Sequence, residues 1–367
     1  MYPELQYKIA LSMLPGIGGV LARNLLAYTG NLEEIFKSPV QALKKIPGIG
    51  EANARRIKGS NALAKAEKEI EFMEKNSIKA SFYTDSDFPR RLKTCIDAPV
   101  VIYTKGNMNL DEQRVISIVG TRNATEYGKQ VIDELVKSFS ERGYKILIVS
   151  GLAYGIDIHV HRAALKYELP TVGIVAHGLD LLYPALHRET AKKMQENGGL
   201  LCDFPSGTKI DPQNFVKRNR IIAGLADATI VVESAEKGGA LITADIASSY
   251  NRDVFAFPGR AGDMYSVGCN QLIRNNGANL IQGIDDLEYF MGWEKEEEKQ
   301  AVQSSLFIEL NENEQKVVDL LKEKRELFID QISSSVQLPV SRVSAMMLTL
   351  EFKNVIIALP GKMYRLR

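Results

Sequence analysis

The segment between residues 100 and 290 constrains the fold most, because strand-like and helix-like patterns alternate along it. Amphipathic stretches separate six short runs rich in β-branched residues: VVIY (100–103), VISIV (115–119), KILIV (145–149), TVGIVA (171–176), ATIVVE (228–233) and DVFAF (253–257). Strands that alternate with helices build a parallel sheet with helices on both faces. The sequence therefore predicts a central α/β domain over residues 83–293.

The residues before this domain, 1–82, are predicted to form helices, and two of their segments are alike. LPGIGGVLARNLL (14–26) and IPGIGEANARRIK (46–58) each place an aliphatic residue between two glycines ahead of a helix. Gly16 and Gly18, and in the second repeat Gly48 and Gly50, allow a tight turn whose N–H groups can donate to a phosphate oxygen. The pattern is that of tandem helix-hairpin-helix modules, which bind DNA. A packing module without DNA contact would need the same glycines.

Two further segments follow the central domain. Residues 294–306 are acidic and show no apolar periodicity, which predicts a solvated linker. Residues 307–367 predict three helices followed by two short strands around Pro360-Gly361, the pattern of a winged helix. Its last helix offers only Arg342 and Lys353 to a DNA groove, so a winged-helix transcription regulator is a weaker alternative for the function.

The charge of the chain is nearly balanced, with 46 Lys+Arg against 45 Asp+Glu. A basic footprint over the whole surface is therefore absent, and any nucleic-acid site must be local. Cys95, Cys202 and Cys269 are far apart and lack C-x-x-C spacing, which indicates neither a disulfide framework nor a zinc site. No apolar run approaches about 18 residues and the start does not resemble a signal peptide, so we predict a cytoplasmic protein without membrane insertion.

The first candidate site follows the strand VISIV, where Gly120, Thr121 and Arg122 precede a predicted helix. Backbone amides at such a turn can bind a phosphate, and arginine adds a planar cation. The spacing is not G-x-G-x-x-G, and the next strand ends in Ser150-Gly151 instead of an acid, which disfavours NAD. The sequence also lacks a P-loop motif. We therefore predict a phosphate site and no cofactor.

The second candidate site lies in NFVKRNRIIAGLAD (214–227), at the start of a predicted helix. It combines an aromatic residue with cations and an amide: Phe215, Lys217, Arg218, Asn219 and Arg220. Such a set can stack a base and hold its backbone, although a helix with a solvated basic face has the same composition. Another strand-to-helix turn contains Lys237, Gly238 and Gly239. Two neighbouring phosphate sites suit a polymer better than a small ligand.

Asp157, His159 and His161 suggest a metal site within SGLAYGIDIHVHRAAL (150–165). On a helix, residues i and i+2 point about 200° apart and cannot share one metal ion. The sequence downstream is helical in pattern, so we predict no metal. We expect His161 to be a polar anchor for the glycine-rich turn.

These segments together resemble the DNA-processing protein A family, also called Smf. Similar stretches occur in the family's order over most of residues 85–285: VGTRNATEYG, SGLAYGIDIHVHRAAL, HGLDLLYPALHR, NFVKRNRIIAGLADATIVVE, EKGGALITADIA, VFAFPGR and GCNQLIRNNGANLI. The resemblance implies a Rossmann-like central domain, a homodimer and binding of single-stranded DNA. It also implies loading of the RecA recombinase onto incoming DNA during natural transformation.

The resemblance places the family's DNA contacts on Gly120 to Arg122, on Phe215 to Arg220 and on Lys237 to Leu241. In the last of these, Gly238-Gly239-Ala240 stands where Ser-Gly-Ser is common in the family, which removes hydroxyl donors. We expect the dimer contact among two pairs of aliphatic residues, Leu272-Ile273 and Leu280-Ile281, of which one pair can enter the core while the other meets a partner.

An enzymatic function is the other alternative. Related Rossmann-like domains hydrolyse nucleotide glycosidic bonds with a carboxylate that follows a glycine turn. In this chain the first acid after Gly238-Gly239 is Asp245, which falls within a predicted helix. We therefore predict a binding protein without catalytic residues.

Overall fold

The computed structural model describes residues 3–293, 310–324, 326–353, 355–359 and 362–366. The predicted acidic linker, 294–306, lies outside the described residues. The chain divides into two compact units, Met1–Glu296 and Glu297–Arg367. Among the described residues, no helix is both long enough and apolar enough to cross a membrane.

The first unit begins with six helices, as the sequence predicts. They are α1 (Pro3–Ser12), α2 (Gly19–Thr29), α3 (Leu32–Lys37), α4 (Val40–Leu43), α5 (Glu51–Lys58) and α6 (Ala62–Asn76). Helices α2 and α5 begin directly after the two glycine turns, with Gly18 and Gly50 as their N-cap residues. Gly16 and Gly48 have φ angles of +76° and +83°, a region that favours glycine. The duplicated hairpin is therefore present in the fold.

The rest of this unit is built on a nine-stranded sheet in the order β1-β2-β6-β5-β4-β3-β7-β8-β9. The strands are β1 (Lys79–Phe82), β2 (Val101–Asn107), β3 (Arg114–Val119), β4 (Ile146–Ser150), β5 (Thr171–Ile174), β6 (Gly198–Cys202), β7 (Ala228–Val231), β8 (Asp253–Ala256) and β9 (Asn279–Leu280). Strands β3 to β9 are parallel, whereas β1 and β2 join one edge in antiparallel pairing.

Helices cover both faces of this sheet. They are α7 (Arg90–Lys93), α8 (Glu126–Glu141), α9 (Ile156–Lys166), α10 (Arg188–Met194), α11 (Pro212–Leu225), α12 (Gly239–Ser249), α13 (Val267–Arg274) and α14 (Ile284–Met291), with a 3₁₀ turn at Ala185–His187. Alternate residues of β3 point to opposite cores: Val115 and Val119 pack into one, and Ile116 and Ile118 into the other. This two-sided burial explains why the central strands have continuous apolar sequences.

The second unit contains α15 (Glu312–Lys324), β10 (Glu326–Phe328), α16 (Ile329–Val336), α17 (Val340–Phe352), β11 (Ile356–Leu359) and β12 (Met363–Leu366). The strands form an antiparallel sheet in the order β10-β12-β11. The predicted winged-helix pattern is present, with an additional strand, β10, between the first two helices. The predicted turn residues Pro360-Gly361 lie outside the described residues. Lys353, expected at a DNA groove, instead contacts the buried Glu314 at 2.9 Å.

Candidate nucleic-acid interface

A groove of about 270 Å³ opens at the carboxyl ends of β3 and β7. After β3 the chain adds β4, β5 and β6 on one side, and β7 then returns to the other side of β3. Such a reversal of strand order leaves a crevice, and open α/β sheets bind their ligands there. The groove brings together the loop after β3, the turn after β4, the first turns of α11 and the start of α12.

The loop that carries Gly120, Thr121 and Arg122 lies directly against the turn after β4. A Cβ atom added at Gly120 would lie 2.4 Å from Ile156 Cγ1, and one at Gly155 would lie 2.2 Å from the Thr121 carbonyl oxygen. The Ile156 N–H donates to that same oxygen at 3.0 Å. Glycine is therefore required at both positions, because any side chain would separate the two loops.

Glu233, which sequence reasoning did not single out, fixes the other end of this loop. Its buried carboxylate accepts hydrogen bonds from the Thr125 N–H at 2.9 Å and from the Thr125 hydroxyl at 2.5 Å. Thr125 is the N-cap of α8, where a negative charge also interacts favourably with the helix dipole. A Cβ atom at Gly128 would lie 2.3 Å from the Glu233 carboxylate, so Gly128 makes room for it. The sequence feature that could have identified Glu233 is its position as an acid at the end of the apolar run ATIVVE.

The most exposed cation of the groove is Arg122. Its guanidinium carbon lies 5.7 Å from the centre of the Phe215 ring. No protein group in the described part of the chain accepts a hydrogen bond from this guanidinium. The aromatic ring and a cation with free donors therefore stand side by side, as a base and its phosphate require.

Arg218 is buried, which corrects the expectation of a surface contact. It donates to the carbonyl oxygen of Gly151 at 2.6 Å and also to that of Ile174. Burial lowers its pKa to about 10, while Asp157 opposes the shift and Arg122 adds to it. Burial also raises the pKa of the Asp157 carboxyl, against the attraction of Arg218. Arg218 thus supplies a positive charge beneath Phe215, 6.0 Å from the ring centre.

The remaining residues of the predicted aromatic and basic set on α11, Lys217, Asn219 and Arg220, point in different directions. Arg220 pairs with Asp203 at 2.5 Å and donates to the carbonyl oxygen of Asp97, so it ties the helix to neighbouring loops. Lys217 is exposed but does not line the groove. Asn219 does line it, and its side-chain amide lies 3.5 Å from the Gly239 carbonyl oxygen. The residues that were expected to form one binding surface are therefore divided between the groove, the protein interior and a neighbouring surface.

The second glycine turn faces the first loop across the groove. Gly238 and Gly239 line it at the start of the eleven-residue helix α12, whereas Lys237 is exposed beside them. A Cβ atom at Gly238 would lie 2.2 Å from the Ser234 hydroxyl, and one at Gly239 would have no neighbour within 4 Å. Glycine at position 238 thus allows the backbone to lie close to Ser234. Glycine at position 239 leaves the backbone of the first turn of α12 accessible to a ligand.

His161 does not form the predicted anchor of the glycine-rich turn. His161 instead lies 2.7 Å from the Thr171 hydroxyl, and burial lowers its pKa to about 3, which keeps the ring neutral. The turn is held by His187 Nδ1, which donates to the Leu152 carbonyl oxygen at 2.9 Å, and by Asp157, which lies 3.4 Å from the Ala153 N–H. Within the described ranges, no group of three or more His, Cys, Asp or Glu side chains could hold a metal ion.

The glycines of the two helical hairpins differ in their surroundings. Gly18 and Gly50 both have open space where a side chain would lie. In the first hairpin, however, a Cβ atom at Gly19 would meet the Ala98 carbonyl oxygen at 2.3 Å. Arg23 donates to that oxygen at 3.1 Å and also to the carbonyl oxygen of Ile96. The first hairpin therefore docks on the α/β domain, whereas the second packs against α2, where a Cβ atom at Gly48 would lie 2.6 Å from Leu21 Cδ2.

The candidate dimer residues are also divided by the fold. Ile281 is completely buried in the core, which corrects its assignment as a partner contact. Leu280, in the edge strand β9, is 41% exposed. Leu272 and Ile273 are partly buried against the same core as α12. Only Leu280 of the four presents a largely open surface.

Comparison with known proteins gives three matching family models. The model for DNA recombination-mediator protein A matches residues 79–292, that for a SAM-like helix-hairpin-helix tandem matches 8–59, and that for the DprA winged helix domain matches 305–362. Protein Smf of Synechocystis is 34% identical over 296 residues, covering 79% of this chain and 73% of that protein. DNA processing protein DprA of Bacillus subtilis is 42% identical over 205 residues, covering 56% and 68%.

Two solved structures are similar as well. DNA processing protein A from Streptococcus pneumoniae matches with a TM-score of 0.68 and 28% identity, covering 77% of this chain and 97% of that one. DNA processing protein A from Helicobacter pylori, described for its single-stranded DNA binding mode, matches with a TM-score of 0.53 and 26% identity, covering 58% and 95%.

Proposed function

Since the chain belongs to the DNA recombination-mediator protein A family, we propose that it binds single-stranded DNA in the groove between β3 and β7. One observation carries the proposal most directly. The exposed Arg122 guanidinium has no protein acceptor among the described residues and stands beside the Phe215 ring. A DNA-processing role is common to the relatives, and the single-stranded substrate is the part that we add.

The groove can hold a strand without reading its sequence. Arg122 and the open backbone around Gly239 would contact phosphates, and Phe215 would stack on a base. Phosphate contacts position a strand, and stacking accepts every base because each base has a π face. The exposed charge of Arg122 favours an anion in this groove, whereas the buried charge of Arg218 is compensated by the neighbouring Asp157 carboxylate. We therefore expect binding that depends on salt and on strandedness more than on sequence.

We further propose that the bound strand is not hydrolysed. Asp157 is the acid that lines the groove, and its carboxylate is buried next to Arg218, where it positions the turn after β4. Asp245, the acid that a glycosidic-bond hydrolase would use, is exposed on α12 and does not line the groove. These positions support a binding role over the hydrolase alternative.

The family relationship also supports the partners that we propose. In this proposal the protein acts in the cytoplasm as a homodimer, protects incoming DNA during natural transformation and loads the RecA recombinase onto it. An exposed leucine in a sheet-edge strand, Leu280, is the contact that we propose for the dimer. An edge strand has unpaired backbone groups, and in a two-fold arrangement the same edge meets itself.

The test compares Arg122→Ala with Arg162→Ala, which removes an exposed arginine of α9 outside the groove. Affinities for single-stranded and duplex DNA are measured over a range of salt concentrations. We expect Arg122→Ala to weaken single-strand binding and to reduce the log-log salt slope by about 0.7, the value for one phosphate contact. Equal effects of both substitutions, or tighter binding of duplex by the native protein, would overturn the proposal.

A further inference from the structure

Tyr183 is an exposed aromatic residue at the same edge of the sheet, beside Phe215. Its side chain is 42% exposed, and its ring centre lies 6.0 Å from that of Phe215, with the two rings inclined by 66°. Its hydroxyl has no hydrogen-bond partner in the described part of the chain. Neither core packing nor a polar contact therefore accounts for an aromatic residue at this position.

The loop that carries Tyr183 is anchored from within. The Tyr183 N–H donates to Nε2 of the buried His177 at 3.2 Å, and His177 Nδ1 donates to the Gly178 carbonyl oxygen at 2.9 Å. Asp180 in the same loop accepts from the Gly207 N–H at 3.0 Å. These bonds hold the backbone of the loop that places the Tyr183 ring beside Phe215, which lowers the entropy cost of using the ring in binding.

We propose that Tyr183 is a second base-stacking site, which binds the base next to the one on Phe215. This proposal rests on the proposed function. The ring centres are 6.0 Å apart, whereas stacked bases follow one another at about 3.4 Å. With rings inclined by 66°, two neighbouring bases can occupy both sites only if they are unstacked from each other. The ligand is therefore a flexible single strand, since a duplex keeps its bases stacked and paired.

This site continues the one proposed above. Arg122 lies against Phe215, and Phe215 lies against Tyr183, so a cation and two aromatic rings follow one another along the edge of the sheet. The occupant is thus the same strand that Arg122 holds by its phosphate. Aromatic platforms beside a cationic groove are the usual means of binding single strands without sequence preference.

The experiment uses Tyr183→Leu, which keeps apolar bulk without a π face, and Tyr183→Phe, which removes only the hydroxyl. Tyr28→Leu is the matched control, because Tyr28 is 64% exposed on α2. Each variant of the full chain is titrated with oligothymidylate and with a strand of equal length in which every nucleotide is abasic. Circular dichroism establishes that each variant is folded.

We expect Tyr183→Leu to weaken binding of oligothymidylate about 5- to 150-fold, the range for one lost stacking contact, and to leave binding of the abasic strand unchanged. Tyr183→Phe and Tyr28→Leu should bind both strands as the native protein does. Equal loss on both strands, or no loss on either, would overturn the stacking site. If Arg122→Ala weakens binding while Tyr183→Leu does not, only this inference fails; a native protein without affinity for single strands would remove both proposals.

Discussion

At the scale of single residues, the groove depends on glycines whose missing side chains let two loops touch. Gly155 has a φ of +76°, and a Cβ atom added there would lie 2.2 Å from the Thr121 carbonyl oxygen, which is too close to be accommodated without movement. Gly143 has a similar φ of +68° but no neighbour within 4 Å of its Cβ position. Comparing substitutions at Gly155 and Gly143 therefore separates the cost of backbone strain from the cost of moving the loop after β3.

We predict that Gly155→Ala displaces the loop at Thr121 and weakens single-stranded DNA binding strongly. Gly143→Ala should cost about 1–2 kcal/mol of stability through its left-handed backbone alone and leave DNA affinity unchanged. Chemical denaturation and DNA titration of both variants supply the two measurements. The same affinity in both variants would show that the loop after β3 does not hold the strand.

Residues also show where sequence reasoning failed. Phe215 to Arg220 are consecutive in sequence, but each step along a helix turns by about 100°, so they point in different directions. Phe215, Arg218 and Asn219 share the groove side, whereas Arg220 faces Asp203. Composition identified the helix that carries the aromatic residue of the groove. The burial of Arg218 could not be predicted from the sequence. Its hydrogen-bond acceptors are backbone carbonyl oxygens, which every residue has, so no residue type signals them.

At the scale of elements, the alternating patterns predicted six of the nine described strands of the large sheet and missed the others, which are short or begin with glycine. Strands β3 and β4 are buried on both faces and have long β-branched runs, which is why the pattern found them. Strand β6 was missed because it begins with Gly198 and Gly199, and β9 because it has only two residues. The run VVIY does form a strand, but β2 pairs antiparallel with β6, which local periodicity does not reveal.

Helix α8 depends on Glu233 across 108 residues of sequence, and this supports a second prediction. Glu233→Ala leaves the Thr125 N–H and hydroxyl without their acceptor, which should cost about 1–3 kcal/mol of stability for each donor that stays buried. Single-strand affinity should fall too, because the loop after β3, which carries Arg122, ends at the start of α8.

The matched control is Glu126→Ala in the first turn of the same helix. Glu126 is exposed and pairs with Lys129 at the surface, so its removal should change stability little. Urea denaturation compares the two variants. If they lose the same stability, the buried carboxylate does not hold the loop.

At the scale of the whole molecule, the helix-hairpin-helix region, the α/β sheet and the winged-helix region are all present. The first helical hairpin uses Gly19 and Arg23 to contact the α/β domain, so part of this hairpin is a packing surface. The sequence allowed both uses for the hairpin glycines, and only the fold shows which protein atoms they meet.

The proposed dimer gives a prediction at this scale. Leu280→Arg places a charge on the exposed face of β9, and two copies of the charge would meet across a two-fold contact. We expect the variant to be monomeric by light scattering at concentrations where the native protein is dimeric. Lys79→Glu in β1, at the opposite edge of the sheet, should leave the mass unchanged. A native protein that is monomeric while it binds DNA would contradict the dimer.

The central claim is that the strand lies in the groove between β3 and β7, and photochemical crosslinking tests it most directly. A single-stranded oligonucleotide with photoreactive thymines is bound to the full chain and irradiated, and the crosslinked peptides are identified by mass spectrometry. We predict crosslinks within residues 120–123, 212–219 and 234–240, which competing single strands abolish. Crosslinks confined to the second hairpin at residues 46–58, or to α17 in the winged helix, would show that the strand binds elsewhere.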